Sequence, residues 1–149
     1  MEQIGVRTAA KVSGFPWGNL GSMTTRGQIP PFPYSPADVC SLTLAHRLTS
    51  RGMKTEPACA VAFAMRDEWV NIVVDDSDQP DHLKRRWVAV APSPKGDAVP
   101  FIWNLFASTE DLVDFIATGE ARGGVFLIDA AEIVREVLTG LLISAKEFA

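Results

Sequence analysis

The sequence has no long hydrophobic run, and this limits where the protein can work. The longest apolar stretches among its 149 residues, such as residues 58–65, span only a handful of positions. A membrane-spanning helix needs about 20 predominantly apolar residues, and residues 1–10 contain no apolar stretch typical of a secretory signal. We therefore expect a cytoplasmic protein that does not enter a membrane.

Cysteine and histidine are scarce, with two of each in the chain. A zinc site of about four ligands would need Cys40, Cys59, His46 and His82 together, in an irregular arrangement. We expect instead two buried or half-buried thiols in a reducing compartment, and no metal site.

Motifs that carry catalysis are also missing. The sequence has no P-loop, no G-x-G-x-x-G, no H-E-x-x-H and no spacing typical of a Ser-His-Asp triad. Asp75, Asp76 and Asp78 form an acidic cluster without the glycine and distal glutamate of a calcium loop, so we expect a solvated loop there. We predict that the protein is not an enzyme and needs no cofactor.

What the sequence does contain is a globular composition with an uneven charge. Hydrophobic residues make up 47% and charged residues 21%, which excludes wholesale disorder. The net charge of −4 argues against a nucleic-acid binder, which usually carries a basic face. However, residues 1–56 hold six basic and three acidic side chains, a net +3, and the remainder carries −7. Such a split hints at a nucleic-acid module joined to a second domain.

Helix signals dominate the first 52 residues. A short helix over 8–12 would end at Gly14, and a second helix over 16–26 would end at Gly27. A proline-rich segment (residues 29–34) then precedes a third helix over 36–50, for which Ser35 is a suitable N-cap.

The rest of the chain mixes strand and helix signals. Strands are predicted at 69–74, 87–90 and 125–128, and the type of residues 60–65 and 99–106 stays open. Ser108 would open a helix that closes at Gly119, and Asp129 would cap a final helix. The basic run Lys84-Arg85-Arg86 lies in the loop between two strands and is either an ordinary polar loop or a phosphate patch.

The final helix has the most regular apolar pattern in the chain. Val134, Leu138, Leu141, Ala145 and Phe148 alternate spacings of four and three residues. The helix could dock on its own domain through these residues, or they could form a short antiparallel dimer seam.

Three motifs in the first third occur in a fixed order. They are A-K-V-S-G from Ala10 to Gly14, R-G-Q-I-P from Arg26 to Pro30, and Y-S-P-A-D-V from Tyr34 to Val39, followed by an L-x-x-x-G ending at Leu48 to Gly52. With thirteen residues from Gly14 to Gly27, residues 4–54 resemble the winged helix-turn-helix DNA-binding domain of the MerR family. Family members usually place Arg and Tyr where Gly21 and Ser22 stand here, so the base contacts must differ in detail.

The resemblance implies that the second helix is a recognition helix in the DNA major groove. Leu20 would face the core, and Gly18 and Gly21 would either let the helix backbone approach the duplex or pack tightly against a neighbouring helix. The candidate DNA-binding residues are Arg7, Lys11, Trp17, Gly18, Asn19, Ser22, Thr25, Arg26, Gln28, Tyr34, His46, Arg47 and Arg51. Trp17 could equally be a core or turn residue.

We therefore expect an α+β fold, with a helical winged helix-turn-helix domain over 1–56 and an acidic α/β domain of three to four strands and two helices over 57–149. The function expected is that of a bacterial transcription regulator that binds double-stranded DNA as a homodimer. The second domain would dimerise, or sense a protein partner or a small-molecule effector. The alternatives are an antitoxin-like or anti-regulator protein-interaction module with a degenerate winged helix, and an excisionase-type architectural DNA-binding factor.

Overall fold

The computed structural model describes residues 3–72, 87–92, 101–117 and 125–147. Within these ranges the chain has an α+β fold, in which helices dominate the N-terminal part and three strands form a small antiparallel sheet. This confirms the expected fold class. The chain divides into two compact units, one of Met1–Trp69 with Ile133–Ala149 and one of Val70–Glu132.

The first two helices are α1 (Val6–Ser13) and α2 (Trp17–Thr25), joined by a three-residue turn. Gly14 ends α1 with a φ of +94° and donates its N–H to the carbonyl of Ala10. After α2, Gly27 adopts a φ of +72°, and the N–H groups of Gly27 and Gln28 bond back to carbonyls in the last turn. Glycine adopts these left-handed conformations without strain, and the predicted ends of both helices are confirmed.

The third helix, α3 (Pro36–Ser50), begins at a reciprocal capping box. The Ser35 hydroxyl accepts the N–H of Asp38 at 3.1 Å, and the Asp38 carboxylate accepts the N–H of Ser35 at 2.9 Å. The same carboxylate lies 2.7 Å from the Arg66 guanidinium. The proline-rich segment before α3 is not helical, and Tyr34 at its end exchanges two backbone hydrogen bonds with Ile4.

Residues 55–71 are helical, which decides one open prediction and corrects another. Residues 60–65 belong to α4 (Thr55–Ala64) apart from Met65, and a 3-10 helix (Arg66–Asn71) follows where a strand over 69–74 was expected. The strand prediction is wrong for the described part because Trp69 turns into the helical unit. Its indole N–H donates to the Ser41 hydroxyl at 2.9 Å, and that hydroxyl donates to the carbonyl of Ala62 at 2.8 Å. Residues 73–74 lie outside the described ranges.

The second unit contains the sheet, in the order β2-β1-β3 with both pairings antiparallel. The strands are β1 (Trp87–Pro92), β2 (Phe101–Phe106) and β3 (Phe126–Asp129), so the predictions at 87–90 and 125–128 are confirmed and 99–106 contains a strand. Helix α5 (Thr109–Ala117) packs Leu112 and Phe115 against Ala89 and Ala91, whose small side chains leave room for it. The Ser108 hydroxyl caps α5 as predicted, whereas its predicted stop at Gly119 lies outside the described ranges.

The last helix, α6 (Ala130–Glu147), starts at the predicted cap Asp129, whose carboxylate accepts the N–H groups of Ala131 and Glu132. Beyond residue 132 it belongs to the helical unit. A β-carbon at Gly140 would lie 3.0 Å from a methyl carbon of Val12 in α1, so the two helices approach closely there. The division into units therefore differs from the boundary suggested after Glu56, because α4 packs on α3 and α6 packs on α1.

The stripe of α6 that docks differs from the predicted seam. Its buried members are Ile133, Val137 and Ser144, and Gly140 completes the same face. Of the seam residues, Val134 and Leu141 are half-buried, Leu138 and Ala145 are exposed, and Phe148 lies outside the described ranges. The helix docks on the helical unit of its own chain, and Leu138, Leu142 and Ile143 stay at least half exposed.

Candidate nucleic-acid interface

The exposed face of α2 is the centre of the predicted site. Leu20 and Met23 are buried and anchor the helix, as expected for Leu20. Because a helix turns by about 100° per residue, Gly18, Ser22 and Thr25 lie opposite these anchors, and all three are exposed. The Thr25 hydroxyl donates to the Gly21 carbonyl at 3.0 Å, so it offers its methyl group and an acceptor oxygen outward.

The two glycines of α2 lie over open space. A β-carbon built on Gly18 or on Gly21 would meet no heavy atom within 4 Å beyond its own stretch of helix. Neither glycine has a positive φ. Contacts among the described residues therefore do not account for them, and the tight-packing explanation lacks support. The middle of α2 therefore exposes bare helix backbone.

Basic side chains from α1 flank this face. Arg7 and Lys11 lie one turn apart on the side of α1 that faces the start of α2. The Arg7 guanidinium carbon lies over the Trp17 indole, 5.1 Å from the ring centroid. These three residues line a shallow depression of about 360 Å³ together with Ala10 and Phe15. By the helical period, Val12 lies on another side of α1, where α6 approaches it at Gly140, and both Arg7 and Lys11 are exposed.

The remaining predicted residues near α2 lie along its other edge and at its end. Asn19 and Arg26 are both exposed, and Arg26 occupies the C-terminal cap of the helix. Gln28 is half-buried, and its side-chain oxygen has no hydrogen-bond partner among the described residues. Asn19 and Arg26 thus remain available for the bidentate pairing that asparagine makes with adenine and arginine with guanine.

The four predicted residues in and around α3 differ from one another in exposure and in their contacts. Tyr34 is only 2% exposed, so the structure corrects its assignment as a contact residue: its ring is part of the core. The His46 ring packs edge-on against Phe15 at 5.0 Å and against the backbone of Gly14. Arg47 forms an ion pair with Glu136 of α6, whereas Arg51 is exposed at the C-terminal cap of α3.

An apolar groove beside α2 was not predicted from the sequence. It has a volume of about 410 Å³ and runs past Gly18 and Gly21, with its other lining from Val6, Trp17, Leu20, Thr24, Phe32 and Tyr34. Phe32 is 63% exposed and Trp17 is 57% exposed. A large aromatic residue between prolines, where a core position is not expected, is the sequence signal that could have identified Phe32.

The cysteines do not form a reactive site. Cys40 in α3 and Cys59 in α4 are both buried free thiols. Burial raises the pKa of the Cys40 thiol from 9.0 to about 12 and the pKa of Cys59 to about 11. In the part of the chain that the structure describes, no three His, Cys, Asp or Glu side chains are grouped to hold a metal ion. The acidic cluster at 75–78 and the basic run at 84–86 lie outside that part.

Comparisons with known proteins add no assignment. The sequence matches no protein-family model, and no curated protein matches it. Among the described helices, none is both long enough and apolar enough to cross a membrane.

Proposed function

We propose that the protein is a sequence-specific DNA-binding transcription regulator of the MerR type, with α2 as its reading helix in the major groove. The observation that carries the proposal is the outer face of α2, where Gly18 and Gly21 expose bare backbone. Each glycine in a helix interior costs about 1 kcal/mol relative to alanine. Two such positions without a packing reason among the described residues favour a close external partner.

The charge next to α2 supports a polyanionic partner. Arg7 and Lys11 add two positive charges beside the first turn of α2, and Arg26 adds one at its end. Contacts of this kind to DNA phosphates hold the helix in register, while side chains such as Asn19 read base edges. The acidic remainder of the chain would disfavour other approaches to the duplex.

A homodimer is part of this proposal. One module with a handful of phosphate contacts binds weakly at physiological salt, and a second copy doubles the footprint. The outer side of α6 still exposes Leu138, Leu142 and Ile143, which offers an apolar surface for self-association. The molar mass from light scattering at micromolar concentration tests this part, and a strictly monomeric mass would contradict it.

The main test is a fluorescence-anisotropy titration of the full chain with a pool of random duplexes at two salt concentrations. We expect binding at low salt that weakens steeply at high salt, because each phosphate contact contributes about −0.9 to the slope of log K against log salt. Arg7→Ala combined with Lys11→Ala should reduce the size of that slope by about 0.9 for each phosphate that the two side chains neutralise. The matched control is Lys54→Ala combined with Lys146→Ala, which removes the same charge from other exposed sites. An absence of binding at low salt would overturn the proposal.

The second candidate function is that of a protein-interaction module, and the apolar groove is the observation that favours it. Trp17 and Phe32 expose large aromatic surfaces beside the groove, which is typical of a protein-binding surface. Salt distinguishes the two candidates, since apolar docking does not weaken with salt as phosphate binding does.

A further inference from the structure

Arg7 and Trp17 form a cation–π pair across the turn between α1 and α2. Arg7 lies in the first turn of α1 and Trp17 is the first residue of α2. The guanidinium lies over the indole at 5.1 Å, and the indole is nevertheless 57% exposed. The pair is therefore a surface feature of the site, and Trp17 does not serve as a core residue.

The pairing has a consequence for how Arg7 can bind a ligand. A free arginine side chain samples many rotamers, and attraction to a neighbouring aromatic face restricts them. The guanidinium carries five N–H donors, more than a contact with one ring can occupy, so N–H groups stay available for an acceptor. Such a preorganised fork matches the oxygen geometry of a phosphate group.

Lys11 provides a second charge in the same place. It follows Arg7 by one helical turn, and both line the shallow depression whose wall includes Trp17 and Phe15. Lysine contributes a point charge, whereas arginine contributes the oriented fork. Two basic side chains on one face of α1 beside an aromatic wall suit a single phosphate of a DNA backbone.

We propose that Trp17 is a positioning residue: it holds the Arg7 guanidinium so that Arg7 and Lys11 bind one backbone phosphate of the duplex, and it does not read bases. This inference rests on the proposed DNA-binding function. It assigns Trp17 a contribution that is independent of DNA sequence, although Trp17 stands at the start of the reading helix.

A double-mutant cycle on Arg7 and Trp17, measured by anisotropy with a preferred and a random duplex, tests the inference. Trp17→Ala should weaken binding about fivefold on both duplexes, which is the size of an exposed cation–π contact. Trp17→Phe should retain most of the affinity. In the Arg7→Ala background, Trp17→Ala should have no further effect, because its partner is already gone.

Arg26→Ala provides the control background. Arg26 lies nine residues along α2 from Trp17, so the losses from Arg26→Ala and Trp17→Ala should multiply. The inference is overturned if Trp17→Ala still weakens binding in the Arg7→Ala background, or if it changes the preference between the two duplexes. Failure of the unmodified protein to bind any duplex at low salt would overturn the proposed function as well, so the two failures are distinguishable.

Discussion

Replacing Gly21 by alanine and by leucine separates the stability of α2 from its proposed contact with DNA. Gly21 is the fifth residue of α2, its φ is not positive, and a β-carbon there would meet no atom within 4 Å. Alanine is favoured over glycine in a helix interior by about 1 kcal/mol, and leucine is nearly as favourable. Both variants should therefore raise the free energy of unfolding by about 1 kcal/mol, which corresponds to an increase in Tm of roughly 2–4 °C for a chain of this size.

The effect on DNA binding should go the other way. If the backbone of α2 lies against the duplex, the leucine side chain overfills that space, and overpacking costs about 1–3 kcal/mol. We expect Gly21→Leu to weaken binding by about tenfold or more, and Gly21→Ala to weaken it much less. Thermal unfolding followed by circular dichroism and an anisotropy titration at fixed salt measure the two quantities on the same preparation.

Ala60→Leu is the matched control, because it adds the same side chain at an exposed position of α4, a helix that belongs to neither the proposed DNA interface nor the proposed dimer surface. It should leave DNA affinity unchanged. If Gly21→Leu lowered Tm, the glycine would be needed for packing after all. If Gly21→Leu raised Tm and left the affinity for DNA unchanged, the duplex would not lie against this face of α2.

Three further predictions concern stability. Gly140→Leu should cost about 1–3 kcal/mol in denaturant unfolding because a β-carbon there already lies 3.0 Å from Val12; no loss would show that α6 does not dock closely on α1. Ser35→Ala removes the α3 cap and should cost about 1 kcal/mol by the same assay, whereas an unchanged midpoint would contradict the capping role. The raised pKa values of Cys40 and Cys59 mean that the unfolded chain loses these thiol protons first. The free energy of unfolding that these thiols contribute below pH 9 should therefore fall by up to about 1.4 kcal/mol per pH unit for each thiol as the pH rises toward 11–12. An equally steep fall in the Cys→Ala variants would refute this.

The features of the fold that depend on near neighbours in the chain can be predicted from the sequence. The cap of α3 needs only Ser35 and Asp38, three residues apart, and the ends of α1 and α2 need only the left-handed conformations of Gly14 and Gly27. Local chemistry determines these features, so the sequence predicts them. The exposure of the α2 face followed in the same way from the period of Leu20.

Errors arose where distant residues decide. The strand expected at 69–74 rested on β-favouring composition, but the described residues follow a 3-10 helix because Trp69 donates to Ser41, which lies 28 residues earlier. In α6, two stripes share four-and-three spacing, and the apolar one was expected either to dock on its own domain or to form a dimer seam. The docked stripe contains Gly140 and Ser144, whose suitability depends on the shape of α1 and cannot be derived from hydrophobicity.

In the candidate site, too, the features that the sequence does not predict depend on residues far apart in the chain. The ion pair that draws Arg47 to Glu136 joins residues 89 positions apart, so no local pattern indicates it. The contact of His46 with Gly14 and Phe15 depends likewise on how α1 crosses α3. Arginine and histidine side chains in a helix are usually exposed to solvent. Contacts with distant residues leave Arg47 and His46 half-buried instead.

The most direct test of the account is site-specific photo-cross-linking of the full chain to duplex DNA. Ser22→Cys, on the outer face of α2, and Val113→Cys, which replaces an exposed residue of α5, would each carry a thiol-linked photo-cross-linker. The native thiols are buried with raised pKa values, so labelling should be confined to the introduced cysteine. We predict a covalent duplex adduct from position 22 and none from position 113. An adduct from position 113 alone, or from neither position under conditions where the duplex is bound, would contradict the assignment of α2 as the reading helix.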